Sequence, residues 1–100
     1  MSDLYLRFDS TFFEKTRLSI LTLLYREGRL SFNALKDALA GTDGAVYTHL
    51  EKLRQAGYIS RDKELVEGNV SSQYELTPFG RTEFNAYIGF LEAMLKEQSK

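Results

Sequence analysis

GAVYTHLEKLRQAGYI, residues 44–59, is the stretch on which the reading of this 100-residue chain turns. Each helical residue advances about 100° around the axis, so Val46, Leu50 and Leu53 share one apolar stripe. Gly44, Thr48, Glu51, Lys52 and Gln55 fall opposite it, with Tyr47 and His49 on the two flanks. The spacing predicts a helix over roughly 44–56, stopped by Gly57. Its outward face is polar and begins with small residues.

Upstream, Thr11 and Glu14 have capping-box spacing ahead of an apolar-rich run, which predicts a first helix over 11–27 ended by Gly28. Leu30 begins a short extended link. Ser31 then caps a two-turn helix carrying Phe32, Leu35 and Leu39, and the residues AGTD at 40–43 supply a glycine turn and two candidate caps. Two helices joined so tightly suggest helix-turn-helix. Downstream the period becomes two: Ile59, Arg61 and Lys63 alternate with Ser60, Asp62 and Glu64. Residues 67–69 read as a hairpin tip, and Tyr74 and Leu76 point inward on the returning strand of a two-stranded ribbon. Thr77 and Pro78 suit the N-cap and first turn of a last helix reaching about Gln98.

Composition narrows the function. With 43% hydrophobic and 27% charged residues, seven Gly and one Pro, the chain fits one globular domain spanning 1–100. It has no cysteine and one histidine, which removes disulfides, thiol chemistry and almost all soft-metal sites. Neither a paired-carboxylate arrangement nor a phosphate-cradling glycine loop is present, so no enzyme and no cofactor are expected. No cationic segment leads into an apolar one at the N-terminus, and no run is long enough to span a bilayer; the expectation is a cytoplasmic protein without a membrane partner.

Four segments carry a family resemblance: RLSIL at 17–21, SFNAL at 31–35, residues 44–59, and YELTPFGR at 74–81. The chain resembles the small dimeric winged-helix DNA-binding transcription regulators related to the MarR and ArsR types. The resemblance implies a mainly α (α+β) fold: a winged helix-turn-helix with a two-stranded β-hairpin wing over 58–76 and a long C-terminal helix. It implies double-stranded DNA as the partner, with the helix at 44–56 in the major groove. Ser31, Thr42, Gly44, Ala45, Tyr47 and Thr48 are candidate contacts at the start of the reading module, followed by Lys52 and Gln55. On the wing the candidates are Arg61, Lys63, Asn69 and Ser71. Gly44 and Ala45 allow close approach to a phosphate at the helix's positive end, although turn chemistry alone also accounts for a glycine there. Relatives carry Lys or Arg near the wing tip, whereas this tip reads VEGNVSS at 66–72.

The terminal segments, 1–27 and 78–98, hold more apolar surface than one small module covers. Phe84, Tyr87, Ile88, Leu91 and Leu95 recur on one helical stripe, widened by Met94. With Leu4, Leu6, Phe12 and Phe13 they predict a homodimer interface. Two-fold symmetry would place the reading helices about 34 Å apart on a pseudo-palindromic site. An unidentified small-molecule effector between the terminal helices and the reading module is compatible with this plan.

Charge favours an alternative. The chain carries 13 Lys and Arg against 14 Asp and Glu, a formal charge of −1. Residues 31–73 contribute five of those cations and six of the anions, so the reading module is itself −1 and phosphate attraction is weak. A winged-helix protein-interaction module with weak or no DNA binding is the competing reading. His49 is expected to be packed and hydrogen-bonded rather than a ligand. Arg17 is expected to bridge Glu75 or Glu83, or to meet a phosphate.

Overall fold

A computed structural model describes residues 10–98. They form α1 (Ser10–Phe13), α2 (Lys15–Glu27), β1 (Arg29–Ser31), α3 (Phe32–Leu39), α4 (Asp43–Gln55), β2 (Ile59–Val66), β3 (Asn69–Leu76) and α5 (Pro78–Gln98). The helix expected over 11–27 is divided. Glu14 takes extended backbone, φ −68° and ψ 138°, and its carboxylate accepts the Arg17 amide at 2.9 Å. It therefore caps α2 from outside rather than closing a box with Thr11, because the acidic side chain satisfies one of the amides that a helix start leaves open.

The expected two-stranded ribbon is a three-stranded antiparallel sheet in the order β1-β3-β2. Arg29, Leu30 and Ser31 pair with Glu75, Tyr74 and Gln73. Three residues are too few for alternation to register in a sequence; the neighbouring strand supplies the order. The β2–β3 register runs from Ile59 opposite Leu76 to Val66 opposite Asn69. The hairpin turns on two residues, Glu67 at φ 51° and Gly68 at φ 82°, the positive pair that a tight hairpin needs. Asn69, expected at the tip, is the first residue of β3.

The helix-turn-helix forms as read, with shifted details. The Ser31 hydroxyl accepts the Ala34 amide at 3.0 Å and starts α3. Ala40, not Gly41, takes the left-handed conformation that ends it, at φ 52° and ψ 37°. Thr42 caps α4 by accepting the Ala45 amide at 3.3 Å, so the helix begins at Asp43. Thr77 fixes the approach of α5: its amide donates to the Tyr58 carbonyl at 3.0 Å, and its hydroxyl donates to the Gly57 carbonyl at 2.6 Å while accepting the Gly80 amide at 2.9 Å. A Cβ on Gly80 would run into the Tyr58 carbonyl, which is why glycine stands there.

The core gathers Ile20, Leu21 and Leu24 of α2, Leu35 of α3, Val46, Leu50 and Leu53 of α4, and Tyr74 and Leu76 of β3. Each fully buried side chain of this kind contributes about 1.5–3 kcal/mol relative to exposure. Two residues expected at the dimer interface belong here instead. Phe12 is wholly buried, with edge-on contacts to Tyr58 at 5.6 Å and Tyr87 at 5.4 Å between ring centres, and Phe84 is buried beside Tyr25 at 4.9 Å. Helical periodicity marks an apolar face but not whether its cover is the chain's own. Among the described residues no helix is long and apolar enough to cross a membrane.

Candidate nucleic-acid interface

The apolar stripe of α4 is anchored as its spacing requires: Leu50 and Leu53 are wholly buried and Val46 nearly so. The opposite face is open. Gly44, Ala45, Tyr47, Thr48, Lys52 and Gln55 are all exposed. The Thr48 hydroxyl donates to the Gly44 carbonyl at 2.9 Å, which leaves its oxygen lone pairs for an outside donor. Thr42 is exposed at the helix start, whereas Ser31 is half-buried and engaged as the α3 cap.

Most of the cations around this face already have anionic partners. Lys36 meets Asp43 at 2.7 Å, a contact that holds the ammonium above its ordinary pKa mainly through the hydrogen bond. Glu51 is the larger clamp, paired with Arg54 at 2.7 Å and with Arg61 at 3.3 Å. The Arg54 hydrogen bond keeps the Glu51 carboxyl below its ordinary value against the opposing effect of burial. Arg61 is held above its ordinary value by hydrogen bonding to the Tyr47 and Tyr74 hydroxyls, with the Glu51 charge adding to the effect. Burial pushes the Tyr74 phenol upward, and the adjacent Arg61 partly offsets that. On the outer face of the sheet, Arg29 reaches Glu75 at 3.0 Å and Asp62 and Glu64 at 3.4 Å. Lys52 and Lys63 have no ion pair among the described residues and are exposed. On the wing, Asn69 is exposed, and Ser71 is half-buried and accepts from the Gln73 amide at 3.1 Å.

The sequence reading missed a polar joint beneath α4. Arg17 is buried, and Glu75, one of the carboxylates expected to meet it, pairs with Arg29 instead. Its Nε donates to the Thr11 carbonyl at 2.8 Å, and one terminal nitrogen lies 3.1 Å from His49 Nδ1. Arginine has donors only, so Nδ1 is the acceptor. Glu14 Oε1 is 3.6 Å from the same ring nitrogen. Burial pushes the Glu14 carboxyl up, but the hydrogen bond from the Arg17 amide and the nearby positive charge of Arg17 help to outweigh it, and the net shift is downward. His49 thus has the hydrogen-bonded, half-buried position expected of it, and it ties α4 to the start of α2. The three-residue spacing from Glu14 to Arg17 was the visible signal; the arrival of His49 is tertiary.

The terminal residues divide into three groups. Leu4 and Leu6 lie outside the described residues. Phe13, Tyr87 and Ile88 are partly buried against the core, and Met94 is half-buried. Leu91 and Leu95 are exposed, at 39% and 67%.

A helix, a short strand, two tightly joined helices and a β-hairpin lying beside the second of them define a winged helix-turn-helix. The chain belongs to the winged helix DNA-binding domain family, which it matches over residues 16–95. It is 39% identical over 72 residues to an uncharacterized protein of Methanocaldococcus jannaschii, covering 72% of this chain and 78% of that one. Solved structures share the fold. A transcriptional regulator homologue from Pyrococcus horikoshii superposes with a TM-score of 0.84 over all of both chains at 22% identity. The S. aureus MepR–DNA complex gives 0.77 at 20% identity, over 89% of this chain and 73% of that one.

Proposed function

We propose that the protein is a homodimeric, sequence-specific DNA-binding transcription regulator, in which α4 enters the major groove and the β2–β3 wing lies near the flanking backbone. One observation carries this reading: α4 is anchored by three buried residues while Tyr47, Thr48, Lys52 and Gln55 stand open on its other side. A helix so mounted presents its first turns to base edges, and the free amides at its start favour a phosphate. Family membership and the likeness to the MepR–DNA complex support DNA as the partner. Leu91 and Leu95, exposed on the distal half of α5, support self-association, with Met94 beside them.

Dimerisation has a physical motive in this chain. With Arg54, Arg61 and Lys36 internally paired, one subunit offers few free cations to phosphates, and two heads on one duplex multiply a weak contact. The same ion pairing favours the second reading, a winged-helix module that docks a protein. Selection of binding sites from random duplexes by the purified protein decides between them. Enrichment of an inverted repeat with half-sites about 10 base pairs apart supports the regulator. A pool that remains random at low salt rejects it in favour of the protein-docking module.

A further inference from the structure

Imidazole is the side-chain type that ordinarily exchanges its proton between about pH 5 and pH 8, and this chain has one, His49, with no cysteine beside it. It stands at the joint between α4 and the start of α2, where its Nδ1 meets two groups with opposite demands. Arg17, buried and able only to donate, reaches Nδ1 at 3.1 Å and needs a bare lone pair there. Glu14 Oε1, 3.6 Å from the same nitrogen and able only to accept when ionised, needs a proton there. The carboxylate is ionised in this range: burial alone would raise it, but the Arg17 amide donates to the same Oε1 at 2.9 Å and the net shift is downward. Among the described residues, Arg17 and Glu14 are the charged groups that contact the ring. α4 packs chiefly against α1, α2, α3 and β2, and the other charges there are engaged elsewhere or exposed. Lys36 of α3 meets Asp43, Arg61 of β2 meets Glu51, and Lys52 of α4 faces outward. From α1 comes the neutral Thr11 carbonyl, which holds the Arg17 Nε at 2.8 Å.

We propose that protonation of His49 is a regulatory switch on the DNA-binding face: the neutral ring locks α4 to Arg17, and the protonated ring releases Arg17 and turns to Glu14. The inference rests on the DNA-binding reading above and names the proton as a regulator of that face. A proton on Nδ1 removes the acceptor and sets a second cation against a buried guanidinium, which the low-dielectric surroundings make unfavourable. The Glu14 carboxylate is the nearest relief. Closing 3.6 Å to the length of a charge-assisted hydrogen bond, about 2.7–2.9 Å, brings ring and carboxylate together by roughly 0.7–0.9 Å and draws on the oxygen that caps α2. His49 sits between the buried Leu50 and Leu53 and the open Thr48 and Lys52, so the displacement passes to the outer face of α4. Hydrogen bonds to base edges are sensitive to a shift of this size, whereas attraction to phosphates is not. The added charge itself favours any duplex. Protonation therefore lowers discrimination: specific binding falls while non-specific binding holds or rises. By linkage, the specific duplex opposes protonation to the same degree.

The test uses the untagged full-length protein, the inverted repeat obtained by selection and a scrambled duplex of equal length, with fluorescence anisotropy read at about pH 7.5 and about pH 5.5 at one ionic strength. Wild type is expected to lose roughly tenfold in affinity for the repeat over that interval, with no fall for the scrambled duplex. His49→Gln offers a carbonyl oxygen that can accept from Arg17 but takes no proton, so it is expected to bind the repeat equally at both values. Glu14→Gln keeps an oxygen for the α2 cap and removes the anion that receives the protonated ring. Its loss of affinity is expected to begin at lower pH than that of wild type, a change that a merely structural His49 would not produce. The lone imidazole also gives an unambiguous ring C–H resonance. In wild type its titration midpoint is expected to be lower in the specific complex than in the free protein, a readout that does not depend on the folding of any variant. No loss on the repeat, an equal loss on both duplexes, a loss that persists in His49→Gln, or a midpoint unmoved by the repeat overturns the proposal. Failure of the wild type to select any site sinks the DNA-binding reading itself, and that result is seen before the pH is varied.

Discussion

α4 and α5 are both amphipathic helices in one small domain, and they end in opposite situations. α4 spends its apolar residues inside the subunit, with Val46, Leu50 and Leu53 buried, and turns a polar face outward. α5 buries apolar side chains only as far as Phe90. Thr77 and Gly80 lock its start against the Tyr58 segment, and Glu83 and Phe84 are buried, but Leu91 and Leu95 farther along are left exposed. The difference fits the two roles proposed for these helices. A polar face on a rigid anchor suits a ligand that makes hydrogen bonds, whereas a partly exposed apolar face suits another protein surface.

Truncation breaks the comparison most sharply. Leu50→Ala removes a wholly buried side chain and is expected to destabilise the fold by about 2–5 kcal/mol. Leu95→Ala, at a site 67% exposed, is expected to leave the stability of the isolated subunit within about 0.5 kcal/mol of wild type. Denaturant melts of both variants under conditions that keep the subunits apart measure the contrast. A loss at Leu95 as large as that at Leu50 would mean that α5 is satisfied within the chain. The association itself is read by Leu91→Asp, which places an unpaired carboxylate in the expected contact. Light scattering should report a monomer, and an unchanged dimer mass removes α5 from the interface. A smaller effect is expected for Thr48→Ala/Lys52→Ala on the open face of α4. In an electrophoretic shift assay, specific duplex binding should fall by roughly tenfold or more while the melting transition stays in place.

These contrasts also mark how far the sequence was legible. The helix-turn-helix, the hairpin and α5 could be read because periodicity and caps are local: Ser31, Thr42 and Thr77 each accept an amide at a helix start, as their positions imply. β1 was not legible, since three residues acquire strand character only from β3. Phe12 and Phe84 lie under the chain's own cover rather than at its outer surface, since an apolar stripe does not name its neighbour. In the site, the face of α4 followed from rotation about the helix axis. The partners of Arg17, 32 residues from His49, did not, nor did the Glu51 clamp on Arg61. Ion pairing across elements depends on distances that no spacing rule supplies.

That clamp provides the finest test of the polar side of the comparison. Glu51 holds Arg54 and Arg61 at 2.7 and 3.3 Å, so Glu51→Gln removes the one carboxylate paired with both and frees two cations beside α4. Each newly engaged phosphate should steepen the dependence of log K on log salt by about 0.9, so an increase of between about 1 and 2 per subunit is expected for non-specific duplex. An unchanged slope would place these arginines away from the phosphates. The same substitution has a signed effect on pH dependence. The Arg54 hydrogen bond depresses the folded-state pKa of Glu51, so its ionised form adds stability that is present above its ordinary titration range and lost as pH falls through the depressed value. Between about pH 6 and pH 3 the Gln variant should therefore lose less stability than wild type. Parallel pH profiles would mean that the pair is fully screened by water, in which case Arg54 and Arg61 are already free for DNA and the salt slope of the wild type should be as steep as that of the variant.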